Sequence, residues 1–371
     1  MIVVPGRVDA GGPVGPILPG WVDEPIDLAS FTTVRVPGVQ LWLFAVDDGG
    51  EAPVWSGERT QGGGIFVVRC AIDDVGTLTE TDWQQVLALT DALAQFPVDS
   101  AFRTPTSHAD HWHIYAHGRH WIAFSMADGA DGVGIGLLTL DDSLAVVTGP
   151  TRLYRSVAAA TNVATNDLFM CETPTGVVIF FKTFPPARAG EELTLVEATA
   201  ADPSLPDVAV GMVTDPLGLL AGTPMANGGS AYYEATAAEP YVLLVPSTLA
   251  PSAASVIQQV RLDAAFEVTE AAVVRSRVDR GYAMPMRAVI PSLPALSFWC
   301  WRTISLPPVS GEVGTLDSWV WDAAGPRHRH LQRRVASIGN RPHVPAFSDR
   351  IVIAYDTSKP YCSVCLVDYA P

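Results

Sequence analysis

The sequence predicts an all-β protein: a β-propeller with six blades, or five as the alternative, with one inserted helix and an extended N-terminal arm. Three observations lead to this prediction. Apolar, β-rich segments recur in pairs along the 371 residues, and 31 glycines and 30 prolines stand between them as turn residues. The composition, 48% hydrophobic and 17% charged, is that of a folded chain with a large core.

The N-terminal arm is predicted from composition. Residues 1–28 are rich in proline and glycine and lack periodicity, so they are expected to be extended, with the propeller domain over 29–371. The last repeat ends at Pro371 without room for an outer strand. Because the N-terminal segment can supply that strand when a propeller closes, residues 1–8 or 30–37 are expected to do so.

The internal repeat is a three-strand unit in which the second strand is the most apolar. The predicted second strands are 40–46, 120–126, 176–184, 240–246, 295–301 and 350–356. The predicted third strands are 64–73, 133–142, 193–199, 256–263, 316–323 and 361–369. A repeat of antiparallel units is typical of β-propellers, and six units predict six blades.

One segment in the first unit predicts a helix instead. Residues 79–96 read TETDWQQVLALTDALAQF, in which Trp83, Val86, Leu87 and Leu93 fall at helical spacing. We therefore expect a helical insertion over 79–97 that packs against the propeller.

A histidine-rich hairpin is predicted in the second unit. The segment SHADHWHIYAHGRH, residues 107–120, turns at His117-Gly118, because glycine suits the second position of a tight hairpin turn. Pairing across this turn sets Tyr115 opposite His120, Ile114 opposite Trp121, His113 opposite Ile122 and His111 opposite Phe124.

A metal hypothesis follows from the same hairpin. His111 and His113 share one face of the strand, and His108 or Asp110 can approach from its start, whereas His117 and His120 are expected to lie too far away. The competing interpretation, which we prefer, is a set of polar and aromatic strand residues that bind no metal. We accordingly expect no cofactor.

Polar residues lead the first strand of every later unit. In a propeller these leading ends converge at the axis, so they predict a pocket suited to a sugar or a carboxylate. The predicted pocket residues are His108, Asp110, His111, Asn162, Asn166, Asp167, Asn227, Tyr282, Arg287, Arg341 and His343. Hydrolysis of a glycosidic bond needs two carboxylates, and Asp110 and Asp167 are the candidate pair.

Two stretches carry a family resemblance. SHADHWHIYAHGRHWIAFSM, residues 107–126, and RPHVPAFSDRIVIAYDTS, residues 341–358, each have a polar lead, a short turn and an apolar strand. This pattern resembles six-bladed sialidase and BNR-like propellers and, more distantly, five-bladed glycosidases. The Asp-box turns of sialidases, S-x-D-x-G-x-T-W, and their early arginine in an R-I-P context are absent from the sequence.

Charge and targeting signals limit the partners. The net charge of −16 argues against binding to nucleic acid or to an anionic membrane. The N-terminal residues do not resemble a signal peptide, no segment has ~20 consecutive apolar residues, and five scattered cysteines do not form a disulfide framework. We expect a soluble protein made in the cytoplasm that binds other protein subunits, itself, or glycans, and that can leave the cell in a released particle.

Three functions are compatible with these features. The first hypothesis is a non-catalytic binding or structural module, such as a component of a phage-like particle or surface appendage that recognises glycans. The alternative is a sialidase-like glycoside hydrolase that acts in the central pocket. The second alternative is a metal-dependent enzyme that uses the cluster between His108 and His113.

Overall fold

The computed structural model shows an all-β fold, with one short helix among the described residues. The ranges that it describes are 22–24, 30–35, 41–47, 64–72, 78–99, 102, 104–128, 131–156, 162–163, 168–184, 192–203, 211–220, 223–224, 229–249, 254–277, 283–287, 296–302, 314–322, 325–327, 333–335, 350–358 and 361–368.

The described strands form six successive antiparallel units, numbered I to VI. After β1 (Val22–Glu24), unit I contains β2 (Ser30–Arg35), β3 (Leu41–Asp47), β4 (Gly64–Ile72) and β5 (Leu78–Ala88), followed by helix α1 (Leu89–Ala94). Unit II contains β6 (Ser107–Ala116), β7 (Arg119–Asp128), β8 (Asp131–Leu140) and β9 (Val146–Arg155). Unit III contains β10 (Asn162–Val163), β11 (Phe169–Thr173), β12 (Gly176–Phe184), β13 (Glu192–Thr199) and β14 (Gly211–Met212).

Units IV to VI repeat this plan. Unit IV contains β15 (Thr223–Pro224), β16 (Ser230–Tyr233), β17 (Tyr241–Leu249), β18 (Ala254–Leu262) and β19 (Val268–Arg277). Unit V contains β20 (Ala283–Arg287), β21 (Leu296–Arg302), β22 (Gly314–Asp322), β23 (Gly325–Arg327) and β24 (Arg333–Val335). Unit VI contains β25 (Arg350–Ser358) and β26 (Tyr361–Asp368). The predicted second and third strands are confirmed in all six units.

The units are arranged side by side, with their first strands next to one another. β2 contacts β6, β6 contacts β11, β11 contacts β16, and β16 contacts β20. Within each of these units the later strands follow outward in chain order. β10 also pairs with β8, which joins units II and III into one nine-stranded sheet. Successive antiparallel units with their first strands innermost are the arrangement of a β-propeller, so the predicted all-β propeller class is confirmed.

The second strands are apolar along their whole length because neighbouring units cover both of their faces. Every residue from His120 to Ala127 in β7 is buried, and so is every residue from Gly176 to Thr183 in β12. Between units III and II, Tyr154 packs on Phe181, whereas on the other face of β12 Phe180 contacts Phe266 of unit IV. A second core, between units I and II, contains Phe124.

The helix predicted over 79–97 is wrong for most of its length. Residues 78–88 form β5, the fourth strand of unit I, and only α1 is helical. Two bulges explain the error: Ile65 pairs with Leu87 but Phe66 pairs with Gln85, which leaves Val86 as an extra residue. A bulge brings neighbouring residues to the same face, so Val86 and Leu87 are both buried, and their spacing imitates that of a helix.

The N-terminal segment adds a strand to unit VI through residues 22–24, which were not among the predicted residues. β1 pairs with β26, with Val22 opposite Val364 and Glu24 opposite Cys362. Residues 30–35, proposed for that role, instead form β2 of unit I and pair with β3. Residues 1–8 lie outside the described residues, as does the remainder of the predicted arm.

The turn between the third and fourth strands is built identically in units II and IV. In unit II, Asp141 Oδ1 accepts hydrogen bonds from the Ser143 and Ala145 amides, and Leu144 has φ 66°. In unit IV, Asp263 Oδ1 accepts bonds from the amides of residues 265 and 267, and residue 266 has φ 62°. An aspartate therefore closes each turn, and an apolar residue in the left-handed region follows three positions later.

No helix in the described ranges has the length and apolar character required to cross a membrane.

Candidate functional site

The candidate site lies at one end of the sheets. We call this the leading end, where the first strand of each unit begins, and we call the opposite end, which carries the turn between first and second strands, the turn end. Because the first strands of units I to V are neighbours, their leading ends are brought close together. Of the predicted site residues in described strands, His108 and Asp110 lie near the start of β6 and Asn162 begins β10, whereas Arg287 is the last residue of β20.

In unit II the leading end contains a bulge. His108 pairs with Met126 and Asp110 pairs with Ser125, so Ala109 is an extra residue in β6. Bulges next to a strand start commonly redirect a side chain or end the pairing.

In unit III two short strands pair with β12. Val163 of β10 pairs with Thr183, and Phe169 of β11 pairs with Phe180. Residues 164–168 lie between these two pairs in the sequence, and 164–167 are outside the described ranges.

Unit IV has the same arrangement, in which Pro224 of β15 pairs with Ser247 and Ser230 of β16 pairs with Leu244. We call the chain segments 164–168 and 225–229 the interruptions of units III and IV, and of their residues only Leu168 and Gly229 are described.

The two interruptions end next to each other. Gly229, at the end of one, lies so close to the ring of Phe169, which follows the other, that a Cβ on Gly229 would be 3.1 Å from a ring atom. Lys182 of β12 precedes Thr183, the partner of Val163, and is only 1% exposed. Among the lysines and arginines whose side chains are described, it alone is buried.

Sequence reasoning did not select Lys182, although a signal was present. The chain has only two lysines, Lys182 and Lys359, and Lys182 interrupts the apolar run GVVIFFKTF of β12. A cation within a strand that is buried on both faces is rare unless it has a partner.

The predicted site residues fall into two groups. Within the described strands, His108, Asp110 and His111 lie on β6, Asn162 lies on β10 and pairs with Phe184, and Arg287 is the last residue of β20. The other predicted residues lie outside the described ranges: Asn166, Asp167, Asn227, Tyr282, Arg341 and His343. Asn166 and Asp167 belong to the interruption of unit III, and Asn227 belongs to that of unit IV.

The histidine hairpin has the predicted register. Tyr115 is opposite His120, Ile114 opposite Trp121, His113 opposite Ile122 and His111 opposite Phe124. The turn at His117-Gly118 has φ values of 53° and 68°, as a tight hairpin turn requires.

His117 connects two units at the turn end. Its Nε2–H donates to the carbonyl oxygens of Thr173 at 2.8 Å and Gly176 at 3.1 Å, both in the hairpin of unit III. This turn-end histidine is therefore a structural residue.

The expectation that His120 lies far from the other histidines is wrong. The Nε2 atom of His113 is 3.1 Å from Nδ1 of His120, and both rings are buried. The two residues are diagonal neighbours on adjacent strands, a relation that long side chains can bridge. Burial lowers the pKa of His120 to about 4, although the carboxylate of Asp142 acts in the opposite direction.

Tyr115 links this pair to the neighbouring turn. Its ring lies edge-on to that of His120 at 4.9 Å, and its hydroxyl donates to Asp142 Oδ1 at 2.9 Å. Burial, together with this hydrogen bond, raises the pKa of Tyr115. The adjacent Asp141 is held ionised, since the hydrogen bond from Ser143 lowers its pKa.

The metal hypothesis gains no support from the described side chains. No group of three or more histidines, cysteines, aspartates or glutamates in the described part of the chain is arranged to hold a metal ion. The Nε2 atom of His113 is engaged in a hydrogen bond with Nδ1 of His120. The side chains of His108 and Asp110 are outside the described set.

Comparison with known proteins yields similar folds and no family. No protein-family model and no curated protein matches the chain. An exo-1,5-α-L-arabinanase from a bovine ruminal metagenomic library is 13% identical, with a TM-score of 0.47, over 84% of this chain and 99% of that chain. A GH43_1 enzyme from Xanthomonas citri is 12% identical, with a TM-score of 0.42, over 83% and 93%. A β-1,2-mannobiose phosphorylase from Listeria innocua is 10% identical, with a TM-score of 0.43, over 96% and 92%.

These likenesses are too distant to assign an activity, but they correct two expectations. The named structures are not sialidases, and they fit the more distant glycosidase group of the sequence-based resemblance better than the sialidase/BNR-like type. The first hypothesis, a non-catalytic binding or structural module in a particle or appendage, is wrong by the same finding, because the similar structures are enzymes named for sugar substrates. The hydrolase alternative replaces it as a proposal.

Proposed function

We propose that this chain is a glycoside hydrolase whose site lies at the leading ends of units II to IV. The observation that carries the proposal is the contact between the first strands β6 and β11. Asp110 follows the bulge of β6, and Asp167 precedes β11 by two residues in the sequence. We propose that this contact brings the two carboxylates to one site.

This pairing fits the chemistry of glycosidic bond cleavage. One carboxylic acid protonates the leaving oxygen while a second carboxylate acts as a base or a nucleophile, and the two groups flank the bond at roughly 5–10 Å. We propose that Asp110 and Asp167 are separated by a distance of that order. The amides of Asn162, Asn166 and Asn227 are proposed to bind sugar hydroxyls, since amides both donate and accept hydrogen bonds.

The test is hydrolysis of a defined panel by the purified protein. We would incubate it with α-1,5-arabinan, β-1,3-galactan, xyloglucan, β-1,2-mannobiose and 4-nitrophenyl glycosides, and measure released sugars by mass spectrometry. Asp110→Asn and Asp167→Asn should each lower kcat by roughly 10³-fold, because each removes a proton-transfer or nucleophilic group. Asp91→Asn, at an exposed position of α1, is the matched control and should retain full activity. Absence of product from the whole panel, or full activity in both site variants, would refute the proposal.

We also propose that the propeller has six blades and that the N-terminal segment completes the sixth. The support is the pairing of β1 with β26, which gives unit VI an outer strand. Glu24 is directly opposite Cys362, and opposite residues of antiparallel strands have a Cα separation that suits a disulfide. Glu24→Cys should therefore form a disulfide with Cys362 on mild oxidation, detected by peptide mapping, and Cys362→Ser should abolish it. If the thiol introduced by Glu24→Cys stays free, this closure is contradicted.

A further inference from the structure

Two buried histidines lie in the interface between units I and II, which we call interface I–II. His113 and His120 occupy one face of the β6–β7 hairpin, and both rings are buried. Ile122 stands opposite His113 on that face and belongs to the core that also contains Val67 of unit I. The hydrogen-bonded histidine pair is therefore placed between two sheets, in a largely apolar setting.

The two interfaces that follow are joined through the backbone. Between units II and III, β10 pairs with β8 on one side and with β12 on the other. Between units III and IV, the Thr214 amide donates to the carbonyl oxygen of Phe266 at 3.1 Å, and the Thr214 carbonyl accepts from the Val268 amide at 2.8 Å. Separation of these units would require backbone hydrogen bonds to break.

Across interface I–II the described hydrogen bonds are donated by side chains. The Arg69 guanidinium donates to the carbonyl oxygen of Ser143 at 3.3 Å, and the Gln84 amide donates to that of Leu144 at 2.9 Å. Both acceptors lie in the turn between β8 and β9. Loss of these contacts leaves the described ladders within units I and II intact, so the two units can separate locally.

Charged groups surround His120 from both units. Burial lowers the pKa of His120 to about 4, and Arg69 of unit I acts in the same direction. Asp142 and Asp141, in the turn of unit II, favour the protonated form without reversing this shift. The other titratable side chains at this contact are His113 and Tyr115 of β6.

Protons favour the open form of this interface. Uptake of a proton by His120 in the closed form places a positive charge in an apolar core, which is strongly unfavourable. If His113 is protonated as well, both facing nitrogens are donors and their hydrogen bond is lost. In the open form water reaches the rings, and a hydrated imidazole takes up a proton near pH 6.5.

We propose that interface I–II is a pH-sensitive switch: protonation of the His113–His120 pair opens this interface while the backbone-linked interfaces II–III and III–IV stay closed. The switch is a property of the fold and does not depend on the proposed hydrolase activity.

Thiol labelling measures this opening. Val67→Cys places a thiol in the core of interface I–II, with Val86→Cys as the alternative probe, and the natural Cys171, buried in the other core, is the internal control. The reagent is a pyridyl disulfide, which reacts with thiols in acid, and peptide mapping follows each cysteine. Each rate is divided by the rate in the urea-unfolded chain at the same pH.

The expected result has two parts. From pH 7 to pH 4.5 the relative rate at Val67→Cys should rise roughly 60-fold, as expected for one histidine whose pKa changes from about 4 to about 6.5 on opening. At pH 4.5 this thiol should react at least about tenfold faster than Cys171, because the interface opens without unfolding of the chain. Equal rates at the two thiols would mean that the whole chain unfolds, and an unchanged rate would mean that the interface stays closed. Either result overturns the proposal.

A histidine variant tests the trigger. In the Val67→Cys background, His120→Gln should reduce the rise by at least about tenfold, because glutamine does not titrate. His117→Gln is the matched control, since His117 bonds unit III at the turn end, and it should keep the full rise. A full rise in His120→Gln would show that the histidine pair is not the trigger. The comparison of the two thiols does not depend on the folding of this variant.

Discussion

The turns β8–β9 of unit II and β18–β19 of unit IV share their backbone but differ in their surroundings. Both are closed by an aspartate and both place an apolar residue in the left-handed region, Leu144 in one and Phe266 in the other. Leu144 enters the core between units I and II, whereas Phe266 packs on Tyr241 and Phe180 between units III and IV. The same local structure therefore serves two different cores.

The residue after the aspartate makes the two turns chemically different. In unit II it is Asp142, which accepts the Tyr115 hydroxyl and lies near the buried His113–His120 pair. In unit IV it is Ala264, and the neighbours of that turn are aromatic rings. The local sequence thus determines the conformation of the turn. In unit II the carboxylate of Asp142 also connects the turn to Tyr115 and to the His113–His120 pair.

The largest expected loss of stability comes from truncating Leu144, the apolar residue in the left-handed conformation in the turn of unit II. Leu144 is 1% exposed, so Leu144→Ala should lower the free energy of unfolding by about 3 kcal/mol. Because φ is 66° at this position, Leu144→Gly should be more stable than Leu144→Ala by about 1 kcal/mol. Urea denaturation measures both values.

Leu140, at the end of β8, is the control for this series. It is equally buried but has ordinary strand geometry, so there the glycine variant should be the less stable of the two. If the same variant, alanine or glycine, is the more stable one at both positions, the role of the left-handed conformation is contradicted.

The second effect tests the histidine pair beside the turn of unit II. The pKa of His120 is about 4 in the folded protein, against about 6.5 in an unfolded chain. Because the pKa is lower in the folded protein, the unfolded chain binds more protons than the folded protein between pH 6.5 and pH 4. Neutral, buried His120 therefore makes its full contribution to the free energy of unfolding above pH 6.5. The free energy of unfolding falls by about 3 kcal/mol in total as the pH is lowered to 4.

His120→Gln isolates this contribution, since glutamine does not titrate. The difference in unfolding free energy between the natural protein and the variant should narrow as the pH is lowered from 7 to 4.5, measured by urea denaturation at each pH. A constant difference across this range would show that His120 does not titrate with unfolding.

The smallest effect compares the two closing aspartates. Asp141 Oδ1 accepts three hydrogen bonds, two from amides and one from the Ser143 hydroxyl, whereas Asp263 Oδ1 accepts two. Asp141→Asn should therefore lower the Tm more than Asp263→Asn, and both should lower it less than Leu144→Ala, as measured by calorimetry. Equal Tm values for the two variants would show that the hydroxyl contact contributes nothing.

Much of the fold could be predicted because its signals are local. An apolar second strand such as β12 is evident as a continuous run, and the glycine at position 118 determines the register of the histidine hairpin. β5 could not be predicted in the same way. Its bulges shift the alternation of buried residues, and only pairing with β4 shows that the segment is a strand.

The site was harder to predict than the fold. The sequence identifies polar residues near the starts of first strands, including Asp110 and Asp167, but not which strands contact one another. The burial of Lys182 depends on strands from different positions in the chain, and no spacing rule within one strand reports it. The His113–His120 contact is a diagonal pair within the predicted hairpin, and the predicted register was sufficient to find it.

The sequence by itself determined the all-β class, the order of the strands and the hairpin turns, because periodicity, glycine and proline act over a few residues. Only the tertiary structure decided that β1 joins β26, that β5 is a strand, that Gly229 lies against the ring of Phe169, and that Lys182 is buried. These features depend on pairing and packing between segments that are distant in the chain, and those interactions outweigh local preference wherever the two disagree.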